Sequence, residues 1–353
     1  MNAAKQACWL VCLLIALGGG GWYFVSSSPI PQLDNATLAK LPDMVATELT
    51  LHRFDSDGKL LHALETPKMY HIPATDTHFF DTPKAWVNQA QQPPLTMQAT
   101  HGKIPKEGKE VIFYGEVTGK QRHPTLNQMR TFKTEELVYF LKQKHVFSPR
   151  EVFLVDPDYT LSSNGMKIDL EEKQLQCLKE FRLMATHGFK NVLDKKSTNP
   201  ATTEAMPAQV SSDSASFDQK KHRGEYNGHF VFSQNTTHLQ ANKAITQTND
   251  KNQWVLAIAT GSAQQQAHYW AKPTPKDPVL HAYADQIRYY PQKHWVELLG
   301  HAKVLQGPHL LQGEKIRFDT VKHHLFSKGS AKDRTVIIIN PKALPHLKDI
   351  QHG

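Results

Sequence analysis

The 353-residue sequence contains only three cysteines, at positions 8, 12 and 177. Cys8 and Cys12 lie inside an uncharged apolar run, which leaves Cys177 alone in the rest of the chain, so no intramolecular disulfide can form there. We expect Cys177 to be a small apolar residue in a strand, and a reactive or intermolecular thiol is the alternative. Stability must then come from packing and strand pairing.

The sequence also lacks the short motifs of common enzyme families. Residues 115–121 have the wrong spacing and ending for a GxxxxGK[ST] phosphate loop, and HExxH, CxxC and GxSxG are absent. Despite 20 histidines we expect no metal site, because the adjacent His323 and His324 would point to opposite faces of a strand. These absences predict a protein that is not an enzyme and has no cofactor.

Charge is absent from residues 6–32. The apolar stretch from Cys8 to Val25 would rise about 27 Å as a helix, close to the roughly 30 Å hydrocarbon thickness of a bilayer. Lys5 precedes the stretch and no basic residue follows it until Lys40. This asymmetry predicts a cytoplasmic N-terminus, with the bulk of the chain beyond the membrane.

Residues 1–28 are therefore predicted to be a single-pass transmembrane anchor. A cleaved signal peptide is the alternative, because Ser26 and Ser28 offer small residues at a possible cleavage site. Against it, the apolar run is longer than the usual 7 to 15 residues of a signal peptide, and Trp22 to Phe24 resemble an interfacial aromatic anchor.

The formal net charge of +8 is spread along the chain and favours anionic partners. Nucleic acid does not fit an exported chain without a basic helix or an aromatic RNA-binding motif. Anionic lipid or glycolipid headgroups fit the predicted location better.

Short apolar alternations broken by turn residues about every ten positions predict an all-β protein. Leu49 and Leu51 precede the turn Asp55–Gly58, and a second alternation follows it, as in a hairpin. Residues 185–206 have few large apolar groups and are predicted to be a linker. The predicted organisation is an anchor (1–28), a first β domain (29–184), the linker (185–206), a second β domain (207–345) and a tail (346–353).

Small residues recur at fixed spacing. The pairs Ala99 and Gly115, Ala284 and Gly300, and Gly313 and Gly329 are sixteen positions apart, and the pairs Gly228 and Ala241, and Gly300 and Gly313, are thirteen apart. One repeat is thus about 29 residues, or two strands and two turns, which predicts stacked hairpins in a sheet that grows along one axis. Coincidence is the alternative.

Residues 1 to about 184 resemble LptC, the anchored component of the lipopolysaccharide transport machine. The resemblance rests on the single span, the hairpin at 55–58 and the segments at 77–83, 114–117 and 162–167. Residues 207 to about 345 resemble LptA, the soluble bridge protein of the same pathway, through 210–218, 226–232 and 284–302. Members of these families are usually separate chains, whereas here they are fused.

The resemblance implies two open-ended antiparallel β-jellyrolls, each V-shaped with an apolar interior. It implies a non-enzymatic lipopolysaccharide carrier in the periplasm, anchored in the inner membrane. The implied partners are lipopolysaccharide, the inner-membrane lipopolysaccharide ABC transporter, and further LptA-like modules or an LptD-type outer-membrane translocon. A structural scaffold with filled cores and a glycan-modifying enzyme remain alternatives.

Matching segments give the candidate site residues. The predicted lipid-binding side chains are Phe80, Ile112, Phe140, Ile168, Phe230, Phe232, Tyr269, Ile287, Tyr289 and Phe318. Strand parity cannot separate lumen from filled core, so plain packing remains the alternative for each. The predicted edge-pairing residues are Leu49 and Leu51 near the start, and Val336 and Ile338 near the end.

Overall fold

The structure is a computed structural model. It describes residues 38–89, 92–123, 128–186, 207–250, 254–272, 278–319, 324–328 and 334–338. No helix in these ranges is long and apolar enough to cross a membrane. The predicted anchor, nearly all of the predicted linker and the predicted tail lie outside the described residues.

The prediction of an all-β fold is confirmed, because the elements in the described ranges are strands apart from one short 3₁₀ turn. Every strand pairing in these ranges is antiparallel. Alternating apolar and polar residues favour strands that are buried on one face. The first eleven strands are β1 (Met44–Phe54), β2 (Leu60–Ile72), β3 (Thr77–Asp81), β4 (Lys84–Gln89), β5 (Gln92–Gln98), β6 (His101–Ile104), β7 (Glu110–Arg122), β8 (Met129–Phe140), β9 (His145–Val155), β10 (Tyr159–Asp169) and β11 (Gln174–Ala185).

Twelve more strands follow, with one short 3₁₀ turn at Pro291–Lys293. They are β12 (Ala208–Ser212), β13 (Ser214–Asp218), β14 (Arg223–Gln234), β15 (Thr237–Thr248), β16 (Trp254–Thr260), β17 (Ala267–Ala271), β18 (Leu280–Ala284), β19 (Gln286–Tyr290), β20 (Trp295–Gln306), β21 (His309–Asp319), β22 (Leu325–Lys328) and β23 (Val336–Ile338).

Runs of long strands are interrupted by pairs of short strands, one in each arm, and this divides the ladder into two arms. Arm A contains the short strands β4, β5, β12, β17, β18 and β23, and arm B contains β3, β6, β13, β16, β19 and β22. The long strands pass through both arms. Side chains of the two arms meet, as the ring of Phe181 in arm A lies 5.7 Å from those of Phe217 and Tyr226 in arm B.

The ladder does not stop between the two predicted domains. β11 pairs with β12 over Phe181–Ala185 and with β13 over Gln174–Cys177, so residues on either side of the predicted linker form one sheet. One buried cluster also takes side chains from both halves, including Met166 and Cys177 from the first and Val210 from the second. The two halves therefore join within a single chain.

Buried hydroxyl groups mark the line along which the long strands bend between the arms, here called the seam. Thr66, Thr134, Ser148, Ser163 and Ser212 are all at most 7% exposed. Thr66, Ser163 and Ser212 each donate to the backbone carbonyl two residues ahead, for example Ser163 Oγ to Gly165 O at 2.9 Å, and Thr134 Oγ1 and Ser148 Oγ share a hydrogen bond at 2.8 Å. Strand bulges at the seam interrupt the ladder, and these hydroxyls satisfy carbonyls that it leaves free.

The repeated small residues in the second half fall on the same line. Gly228 and Gly300 have φ of +73° and +75°, and an added Cβ would lie 2.0 Å from an oxygen of Asp213 and 2.3 Å from one of Asp285. Both features require glycine. Asp213 N donates to Gly228 O and Asp285 N to Gly300 O. Each hydrogen bond connects two successive points at which the chain crosses the seam, and this accounts for the regular spacing of the small residues. Gly329 lies outside the described residues.

Replacing Ser163 by alanine should destabilise the fold by about 1–3 kcal/mol, because it removes the donor to the buried Gly165 carbonyl and to the carbonyl of Lys179. The test is the shift in urea unfolding midpoint. Ser162→Ala, on the half-buried opposite face, is the matched control and should have little effect. Equal midpoints for both variants would contradict this role of the seam.

His71 fastens the beginning of β1. Its Nδ1 lies 2.7 Å from Asp43 Oδ1 and its Nε2 lies 3.1 Å from Asp76 Oδ1, so both contacts are satisfied together only by the doubly protonated ring. The hydrogen bonds to Asp43 and then Asp76 raise the pKa of His71 above 6.5. The stabilisation is fully present below the ordinary pKa and is lost as pH rises through the raised one.

The imidazole of His71 should therefore titrate above 6.5 by NMR, and the amides of Asp43 and Ala74 should exchange faster with solvent once it is neutral. Asp76→Asn should lower the pKa by removing one of its two anionic partners. A His71 pKa at or below 6.5 in the unmodified chain would contradict the assignment.

Candidate functional site

An unbroken row of uncharged residues runs along arm A, one from every strand that reaches this arm. Each member is the direct cross-strand partner of the next, as in Leu154 to Leu161 and Leu161 to Leu183. The row, here called row A, is Leu51, Leu64, Ala85, Met97, Gly119, Phe132, Leu154, Leu161, Leu183, Val210, Phe232, Leu239, Tyr269, Ala282, Val304, Leu311 and Ile337.

Row A faces arm B, because most of its members belong to or pack against the three buried clusters. It crosses the junction at Leu183 and Val210, which are direct partners. With neighbouring strands about 4.8 Å apart, the row extends over roughly 75 Å. The apolar face is thus continuous along the ladder.

A second row runs along arm B, opposite the first. It comprises Val111, Tyr139, Val146, Ile168, Leu175, Phe217, Gly224, Thr246, Ala257, Tyr289, Val296, Phe318 and Leu325, again in direct cross-strand contact. His62 of arm A and Tyr139 have ring centroids 6.0 Å apart, which shows that this row, here called row B, faces arm A. Thr246 is its only polar member apart from the tyrosine hydroxyls.

Burial falls with distance from the seam. Residues close to it, such as Phe181 at 0% and Ile316 at 1% exposure, fill the space where the arms meet. Farther out, Phe232, Leu239 and Tyr289 are only half-buried, although they are large and apolar. The two rows therefore line a trough that is packed at its base and partly open between the arms.

The tyrosine hydroxyls of the trough are uncharged at physiological pH. Burial raises the pKa of Tyr226, Tyr269 and Tyr289 to about 12, so these phenols stay protonated. The buried carboxylate of Glu297 lies on the other face, because it alternates with Val296 and Leu298. Burial opposes its ionisation, but Lys315 and Arg317 outweigh that effect and lower its pKa.

Eight of the ten predicted lipid-binding residues face the trough. Phe232 and Tyr269 are members of row A, and Ile168, Tyr289 and Phe318 are members of row B. Phe80, Phe230 and Ile287 lie nearer the seam and are buried, at 2%, 6% and 5% exposure.

Ile112 and Phe140 lie on the opposite face. Ile112 alternates with Val111 and Phe113, which pack in the cluster at the base of the trough, and Phe140 follows Tyr139 of row B. Neither residue belongs to the lining, because side chains alternate between the faces of a strand. At these two positions the register of β7 and β8 corrects the strand face that was predicted from the sequence.

Sequence reasoning missed most of row A, including Leu154, Leu183, Val210 and Leu239. Leu154 sits in the short apolar run Val152–Val155, where both parities look equally apolar. Only pairing between strands distant in sequence distinguishes them.

The four predicted edge-pairing residues lie on terminal strands. Among the described residues, β1 pairs with β2 alone, and β22 and β23 pair with β21 alone. Leu51, Val336 and Ile338 are 43%, 42% and 51% exposed, and Leu49 is half-buried. Pairing of these edges with another molecule remains a prediction.

Two other groups contain side chains that could act as a nucleophile or as metal ligands. Burial raises the pKa of the Cys177 thiol to about 12, so it is not a nucleophile. His123, Asp156 and Asp158 come close together, but the Arg130 guanidinium already pairs with the buried Asp156. Neither group gives a catalytic site.

Two family models match successive parts of the chain. Residues 9–184 match the family described as lipopolysaccharide-assembly, LptC-related, and residues 209–324 match the LptA/(LptD N-terminal domain) LPS transport protein family. The lipopolysaccharide export system protein LptH of Pseudomonas aeruginosa is 33% identical over 137 residues, which cover 39% of this chain and 76% of LptH.

A crystal structure of LptH, described as the LptA homologous periplasmic component of the conserved lipopolysaccharide transport device of Pseudomonas aeruginosa, also matches. It is 30% identical, with a TM-score of 0.35, and the match covers 38% of this chain and 96% of that one. On the sequence matches, the chain belongs to the lipopolysaccharide transport family and joins an LptC-related segment to an LptA-type segment.

Proposed function

We propose that this chain is a non-enzymatic lipopolysaccharide carrier and periplasmic bridge. It receives lipopolysaccharide from the inner-membrane ABC transporter and passes it along the trough towards the outer membrane. The observation that carries the proposal is row A, which continues through Leu183 and Val210 without a charged or missing position.

A lipid that crosses an aqueous compartment needs a continuous apolar surface, because its acyl chains are costly to expose to water. Exposing an acyl chain of a dozen carbons to water costs on the order of 10 kcal/mol, at about 0.8 kcal/mol per methylene. A charged gap in the lining would therefore stop a lipid that moves along it. The half-buried members of rows A and B offer apolar surface to such chains.

Fusion makes the junction between the two segments intramolecular. The edge of β11, which would otherwise be open to a separate LptA-type module, is paired with β12 and β13. We infer that the working edges are β1, towards the transporter, and β22 with β23, towards further LptA-like modules or an LptD-type translocon. Edge pairing of this head-to-tail kind extends an assembly.

The proposed organisation keeps residues 1–28 as an inner-membrane anchor and 185–206 as the linker, with the bulk of the chain in the periplasm. A structural scaffold with filled cores is the rival function. It would use the same ladder but would carry no lipid between the arms.

Photo-crosslinking in living cells separates the two functions. Crosslinkers at Phe232 of row A and Tyr289 of row B should give lipopolysaccharide adducts, because both side chains face the trough. Crosslinkers at Ser233 and Arg288, on the opposite face of the same strands, are the controls and should give none. Adducts at no position, in a folded and correctly located protein, would favour the scaffold.

Cleavage tests the intramolecular junction. With a protease site inserted between residues 195 and 196, the two cleaved halves should co-elute in gel filtration, because the β11 pairing and the shared core hold them together. Phe181→Asp, at a fully buried position of that core, should let the halves separate after cleavage.

Phe153→Asp is the matched control, since Phe153 is 50% exposed, and its halves should stay together. Separation of the cleaved chain without any substitution would show that the linker, and not strand pairing, joins the segments.

A further inference from the structure

Five rings stack on the outer face of arm A in the second half of the chain. His268 lies at the centre, with ring centroids 4.6 Å from Trp270 and 4.2 Å from Tyr283. His238 stacks on Trp270 at 4.9 Å, and His281 lies 5.3 Å from His268. The rings come from β15, β17 and β18, which are neighbours in the ladder.

This cluster faces away from the trough. His238, His268 and His281 are adjacent in sequence to Leu239, Tyr269 and Ala282 of row A, and successive side chains of a strand point to opposite faces. The proposed transport function makes no use of the cluster.

Two imidazole nitrogens in the cluster are already at the spacing of metal ligands. His268 Nε2 and His281 Nδ1 lie 3.1 Å apart. With metal to nitrogen distances of about 2.0–2.1 Å, two atoms at this separation subtend roughly 100° at an ion beside the line that joins them. That angle lies between the values for square-planar and tetrahedral coordination.

The stack holds the central ligand in place. His268 is nearly parallel to Tyr283, at 6°, and lies 27° from Trp270, so its ring is held between them. The 3.1 Å contact between His268 Nε2 and His281 Nδ1 is a hydrogen bond, so an ion must displace the shared proton and turn the rings until both lone pairs point at it.

We propose that His268 and His281 form a two-imidazole site for a divalent transition-metal ion. Neutral imidazole donors favour Cu²⁺, Ni²⁺ or Zn²⁺ over Mg²⁺ and Ca²⁺, and water fills the remaining positions. The bound ion joins β17 to β18 on the outer face. The two histidines are 13 positions apart in the sequence and lie on neighbouring strands.

Trp270 provides a direct reporter, because a Cu²⁺ ion held beside His268 lies close enough to its ring to quench the fluorescence. Titration of the purified full-length chain with Cu²⁺ should give saturable quenching with one ion per chain. Trp270→Phe should remove that component and leave the emission of the other tryptophans.

His268→Gln and His281→Gln should each weaken binding by about tenfold or more, since even the indirect partners of metal ligands contribute factors of 10 to 100. His238→Gln is the matched control, because His238 also stacks on Trp270 but has no nitrogen contact with His268, and it should bind Cu²⁺ normally. Zn²⁺ should raise the unfolding temperature of the unmodified chain and of His238→Gln only. Unchanged Cu²⁺ affinity in both ligand variants would overturn the proposal, whatever their stability.

Discussion

The register of strand pairing decides which side chains lie between the two arms. Side chains alternate with a period of two, so a slip of one residue would move a whole strand's apolar set to the other face. In this chain the register keeps Leu161, Leu183, Val210 and Phe232 in line across four consecutive strands. Continuity of the trough is thus a property of pairing, and no single side chain creates it.

The seam lets the same strands serve two arms. A strand that bends must give up part of its ladder, and the buried hydroxyls of Thr66 and Ser163 replace the lost partners of backbone carbonyls. In the second half, Gly228 and Gly300 supply a conformation that other residues rarely adopt. The buried polar residues therefore stabilise the bend between the arms, and rows A and B contain no charged residue.

Much of the fold could be read from the sequence, because alternation, turn residues and the spacing of small residues all depend on neighbours along the chain. The hairpin at Asp55–Gly58 and the all-β class are of this kind. The faces of Ile112 and Phe140 could not be read, since in short apolar runs either parity looks plausible. The pairing of β11 with β12 and β13 could not be predicted either, because the residues between these strands show no apolar alternation.

The single ladder also fixes how such a protein can change length. Inserting one strand would keep neighbouring strands antiparallel but would reverse the direction of every later strand, so the chain would leave the last strand from the opposite arm. Inserting a hairpin keeps those directions and lengthens the trough by roughly 10 Å, twice the spacing between strands. Duplication of a hairpin is therefore the simplest way to lengthen the trough while its terminal strand keeps its direction.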